Sequence, residues 1–119
     1  MKRTSLGAAL FGAALLTAGS AAARDKFDGD WALYIMGDSG ICEIGYRVPI
    51  RIDSRVVHYN GRSFNPSMVA ISDSGAVAIR LAAGTNVVTG SGALTTRRGS
   101  GKWIAASFHC TGRWRVEKQ

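Results

Sequence analysis

The groups through which this 119-residue chain could do covalent or acid–base chemistry are two cysteines, two histidines and eight carboxylates. Ser107 and His109 stand two apart, a spacing that puts hydroxyl and imidazole on one face of a strand. A nucleophile of that kind also needs a third group to orient its base, and no carboxylate stands where it would serve. The acids gather early instead, with Asp25, Asp28, Asp30 and Asp38 all ahead of the second expected strand. No His-Glu-x-x-His, no Gly-x-Ser-x-Gly and no phosphate-cradling glycine loop before a helix is present. His58, between Val57 and Tyr59, belongs to a short half-exposed strand. These residues assign no catalytic group, no metal and no cofactor. The domain reads as non-enzymatic.

Cys42 and Cys110 have a different use. A metal site wants clustered Cys or His, whereas His58 is distant and His109 points away from its neighbour on a strand. In an oxidising compartment two such thiols pair. A Cys42–Cys110 bridge would close most of the domain and contribute roughly 4 kcal/mol on the loop-entropy model. The compartment itself is legible at the other end of the chain. Lys2 and Arg3 precede an uncharged apolar stretch over residues 6–16, and Ala21-Ala22-Ala23 follows. Residues 1–23 therefore read as a secretory leader, too short for a stable anchor and cut near Ala23. The expectation is a periplasmic or secreted protein with a single β-domain over residues 24–119. No apolar run in that domain is long enough to cross a membrane as a helix.

Charge is distributed unevenly. The chain holds 15 Lys and Arg against 8 Asp and Glu. Residues 24–96 are neutral, and the excess lies in Arg97, Arg98, Lys102, Arg113, Arg115 and Lys118, opposed by Glu117. Arg97, Arg98, Lys102, Arg113, Trp114 and Arg115 are thus the candidate binding residues, cations with an aromatic ring nearby. Such a surface suits an anionic envelope component or another exported protein. Nucleic acid leaves a similar footprint, and export argues against it. The competing expectation is neutralisation, with Asp28 and Asp30 across from Arg113 and Arg115.

The elements that must position these groups are strands. Residues 24–119 contain sixteen Val and Ile but only three Leu, which favours a pleated surface. Short apolar runs are punctuated by glycine, as at Asn60-Gly61, and no helical period lasts three turns. Residues 42–52 alternate most cleanly, with Tyr46, Val48, Ile50 and Ile52 on one face and Arg47, Pro49 and Arg51 on the other. Pro49 predicts an edge or a bulge. Further strands are expected over residues 31–36, 56–59, 68–72, 76–81, 87–96, 102–110 and 113–117, with 63–67 ambiguous. Arg98-Gly99-Ser100-Gly101 leads into the strand over 102–110. The fold class is all-β, a single antiparallel meander of seven to eight strands, barrel or sandwich, with the last strand beside the first.

All three tryptophans occur as Gly-x-Trp, in Gly29-Asp30-Trp31, Gly101-Lys102-Trp103 and Gly112-Arg113-Trp114. This resembles the strand starts of lipocalin-like and avidin-like barrels, which implies a small-ligand-binding barrel. The Gly-Ser-Gly-x-Trp and Cys-x-Gly-x-Trp ending also resembles small exported alphaproteobacterial β-proteins of unassigned activity. Ser72-Asp73-Ser74-Gly75-Ala76-Val77 is similar to a loop of periplasmic inhibitors of C-type lysozyme, which implies a protein-directed inhibitor. Against that implication, lysozyme is cationic and so is this domain, and like charges slow encounter.

Overall fold

The structure is a computed structural model that describes residues 25–38 and 40–119; the expected leader lies outside them. Nine strands form one sheet: β1 (Gly29–Gly37), β2 (Gly45–Asp53), β3 (Val56–Tyr59), β4 (Arg62–Phe64), β5 (Val69–Ile71), β6 (Ala76–Ala83), β7 (Asn86–Leu94), β8 (Arg98–Ala105) and β9 (Cys110–Lys118). They follow the order β4-β3-β2-β1-β9-β8-β7-β6-β5, every hydrogen-bonded pair is antiparallel, and the sheet nearly closes into a barrel. The all-β meander is therefore as the sequence predicts, and the barrel rather than the sandwich is realised. The count is nine because the ambiguous segment contributes β4. The last strand does lie beside the first, with Trp31 opposite Lys118 and Gly37 opposite Gly112.

Nine is an odd number, so strands cannot alternate up and down all the way round a ring. One neighbouring pair must run the same way. The edge strands β4 and β5, each three residues long, are the two that run the same way, and across the unpaired seam β5 lies closer to β3 than to β4. Short strands at an open edge limit pairing with foreign chains. β3 pairs only with Arg51, Ile52 and Asp53 of β2. Residues 45–50 of β2 therefore have β1 as their sole ladder neighbour, and Pro49 sits in this edge portion, as its missing N–H requires.

Two expected boundaries are corrected. Arg98-Gly99-Ser100-Gly101 is not a lead-in to the strand but its first half, paired with both β7 and β9. The turn falls over residues 95–97, where Thr95 Oγ1 accepts hydrogen bonds from the N–H groups of Arg97 and Arg98. At its other end β8 stops at Ala105, and a 3-10 turn over Ala106–Phe108 leads to His109 in the left-handed region. Ser107 and His109 consequently do not share a strand face.

The core is gathered at one end. Phe27, Trp31, Ile52, Val77, Leu94, Trp114 and Val116 are buried together there. The Trp31 indole N–H donates to the Phe27 carbonyl at 3.0 Å, which fixes residues 25–28 as a plug beneath the barrel. The opposite end carries the β1–β2, β6–β7 and β8–β9 connections. Cys42 and Cys110 form a disulfide at this end, with Cα atoms 5.5 Å apart. No helix among the described residues is long and apolar enough to cross a membrane.

Candidate functional site

Inside the barrel, above the core, lies an apolar cup of about 530 Å³ that opens to solvent. Period-two alternation builds it. Leu33 and Ile35 of β1, Tyr46 and Val48 of β2, Ile79 and Leu81 of β6, Val88 of β7 and Trp103 of β8 all project to the inner face. No lining residue is charged, and the only hydroxyls on the lining residues are those of Tyr46 and Tyr59, both exposed. Ile44, in the β1–β2 connection, also lines the cup, and its carbonyl accepts from the Gly37 N–H at 3.0 Å.

The tryptophan motifs shape the wall. In the β8–β9 pair Gly101 faces Trp114 and Trp103 faces Gly112, so the two Gly-x-Trp units interlock. Each indole covers the glycine of the opposite strand. A Cβ on Gly101 would lie 2.6 Å from Trp114 Cε2, and one on Gly112 would lie 2.4 Å from Trp103 Cε2. Trp114 reaches on to Gly92 of β7, where a Cβ would meet its Cζ2 at 2.5 Å. The Trp103 N–H donates to the Arg113 carbonyl at 3.2 Å, whereas the buried Trp114 N–H has no acceptor among the described residues.

An ionic clasp shuts the closed end across the seam. Arg55, in the β2–β3 turn, donates from Nε to Asp25 at 3.0 Å and pairs with Asp73 of the β5–β6 turn. Its hydrogen bonds hold the Asp25 and Asp73 carboxyls below the usual range, and those same bonds, Asp73 first, raise Arg55 above its ordinary value. The Ser54 N–H donates to Asp28 at 2.8 Å alongside. The inhibitor-like segment from Ser72 to Val77 is therefore the β5–β6 turn region of this end, with Asp73 engaged by Arg55.

The basic residues singled out by sequence divide into two groups, and Trp114 stands apart from both. Lys102 and Arg113 face each other directly on the outer surface of β8 and β9, and Arg115 lies on the same outer face of β9. Arg97 and Arg98 lie lower, at the closed end, where Arg98 faces Glu117. Trp114 projects to the inner face and is only 6% exposed. The expected neutralisation by Asp28 and Asp30 is corrected. Pairing Trp31 with Lys118 leaves Asp30 beside Arg51, 3.0 Å away, while Arg113 meets Asp38 at 3.7 Å and Arg115 meets Glu117 at 3.6 Å. Lys102 has no acidic partner among the described residues.

Sequence reasoning missed Tyr34 and Arg47 as part of this face. The Arg115 guanidinium lies 4.1 Å above the Tyr34 ring and that of Arg47 5.6 Å from it, with Arg47 Nε donating to the phenol oxygen at 3.1 Å. Only the β1–β2 register brings them together, although the alternation already put Arg47 outside. His58 Nδ1 lies 3.0 Å from Ser63 Oγ, and Ser107 Oγ donates to the Thr85 carbonyl at 3.5 Å. Among the described residues no group of three or more His, Cys, Asp or Glu is arranged to hold a metal ion. No protein-family model matches the chain, and no curated protein matches it closely enough to mark a relative.

Proposed function

We propose that this protein is an exported, non-enzymatic β-barrel that holds an apolar, lipid-like molecule in its cup and meets an anionic envelope component with its basic outer face. The cup carries the reading. Its volume of about 530 Å³ is bounded by aliphatic and aromatic side chains without a single charge. Small-molecule sites span about 300–1,000 Å³ and are mainly apolar, with a few polar groups for orientation. Hydrocarbon entering such a cup gains about 25 cal/mol for each Å² withdrawn from water. The Tyr46 and Tyr59 hydroxyls suit a ligand with one polar end left near solvent. Export is supported by the Cys42–Cys110 disulfide, and the anionic partner by the Lys102–Arg113 juxtaposition.

Titration with a fluorescent long-chain fatty acid tests the reading. The expected result is saturable one-to-one binding, weakened at least about tenfold, or about 1.4 kcal/mol, by Val48→Trp, which fills the cup. Circular dichroism would check that the variant keeps its sheet. A wild-type protein that shows no saturable binding, and no co-purifying lipid in native mass spectrometry, would discard it.

A further inference from the structure

The end of the barrel where the cup opens also carries two exposed apolar tips. Ile41, on a 3-10 turn (Gly40–Cys42) in the β1–β2 connection, is 96% exposed; Phe108, in the β8–β9 connection, is 57% exposed. β1 and β9 are paired neighbours, and the disulfide ties the two connections together through Cys42, next to Ile41, and Cys110, two residues beyond Phe108. The two side chains are thus presented on one braced rim. Large apolar groups held out in water in this way mark an interaction surface.

Charge is polarised along the same axis. Six of the eight acids lie at the closed end, among them Asp25 and Asp73, paired with Arg55, and Glu117, paired with Arg115. Toward the mouth Arg47, Arg80, Lys102 and Arg113 stand against only Asp38 and Glu43. An anionic surface therefore meets fewer opposing carboxylates at the mouth than at the closed end. Long basic side chains set back from two apolar tips match the interface of a bilayer, where hydrocarbon enters and cations remain among the headgroups.

We infer that the protein docks mouth-first on an anionic lipid bilayer, with Ile41 and Phe108 entering the interface and Arg80, Lys102 and Arg113 meeting lipid phosphates. This rests on the lipid-carrier reading, since the docked mouth faces the layer from which an acyl chain would come.

Co-sedimentation with vesicles tests it, comparing phosphatidylcholine alone with phosphatidylcholine mixed with phosphatidylglycerol. The wild-type protein should bind the mixed vesicles and not the neutral ones, and release them in high salt. Ile41→Ser with Phe108→Ser should lower partitioning by at least about tenfold, because two apolar side chains no longer enter the interface. Lys102→Glu with Arg113→Glu should do the same. Fatty-acid binding in vesicle-free solution should stay intact in both double variants, which separates loss of docking from loss of the cup. Docking that survives both double variants would overturn the inference, as would a wild-type protein that stays in the supernatant. A dimer that the Ile41→Ser, Phe108→Ser variant abolishes, without vesicle binding, would assign the rim to self-association instead.

Discussion

A methyl group at position 101 has no room. The Cβ would lie 1.9 Å from the Ser91 carbonyl oxygen and 2.6 Å from the Trp114 ring, so backbone and indole would both have to move. Gly45 is the control, with nothing within 4 Å of an added Cβ. Gly101→Ala is expected to destabilise by about 2 kcal/mol or more through overpacking. Gly45→Ala should stay within about 0.5 kcal/mol. Urea denaturation of the two variants checks this, and equal midpoints would refute the glycine–indole wall. The same residue explains a misreading. Glycine serves either a positive φ or a close neighbour, and the sequence does not say which. Gly61 has φ +78° in its turn, whereas Gly99 and Gly101 lack a positive φ and yield space to side chains such as Val116 and Trp114. Those neighbours stand about fifteen residues away, on a strand whose register only the fold supplies.

At the scale of elements, the alternation of β2 was legible because its two faces differ so strongly in polarity, and Pro49 correctly marked its edge portion. Ion pairing was not legible, because one residue of register decides it. Lys118 opposite Trp31 carries Asp30 to the end of β9 and turns it toward Arg51. The Arg55 clasp joins three separate segments, and it sets a pH dependence. Asp25 and Asp73 have folded pKa values below the unfolded one of about 3.9. The unfolded chain therefore takes up protons first as pH falls. The clasp contributes in full above about pH 4, and its contribution is lost as pH drops through the folded values. Both carboxylates release Arg55 on protonation, and the plug over residues 25–28 then loses one of its tethers. Acid unfolding followed by Trp fluorescence should show the wild type losing stability more steeply below about pH 4 than Arg55→Met. Parallel curves would remove the clasp as the cause.

Across the whole molecule, packing and cross-linking are divided between the two ends. Phe27, Trp31 and Ile52 are almost wholly buried at the closed end, while the mouth surrounds a cavity and gains little from burial. A small domain with part of its interior empty has little apolar area in reserve. The disulfide lies where the core is absent, and it spans 68 residues. On the loop-entropy model it contributes about 4 kcal/mol. Pairing of the two cysteines was readable from their number and the expected compartment, but their place at the mouth follows from the strand order. Cys42→Ser with Cys110→Ser should therefore act locally as well as globally. Urea denaturation should show a loss of about 2–5 kcal/mol. Hydrogen exchange under native conditions should show protection lost first in β2 and β9 near Cys42 and Cys110, while Trp31 and Val116 at the closed end stay protected longest. Fatty-acid binding should weaken even where the variant remains folded, because the mouth that shapes the cup is no longer braced. Uniform loss of protection over both ends, with binding unchanged, would mean that the bridge acts only on the unfolded chain and that the cup keeps its form without it.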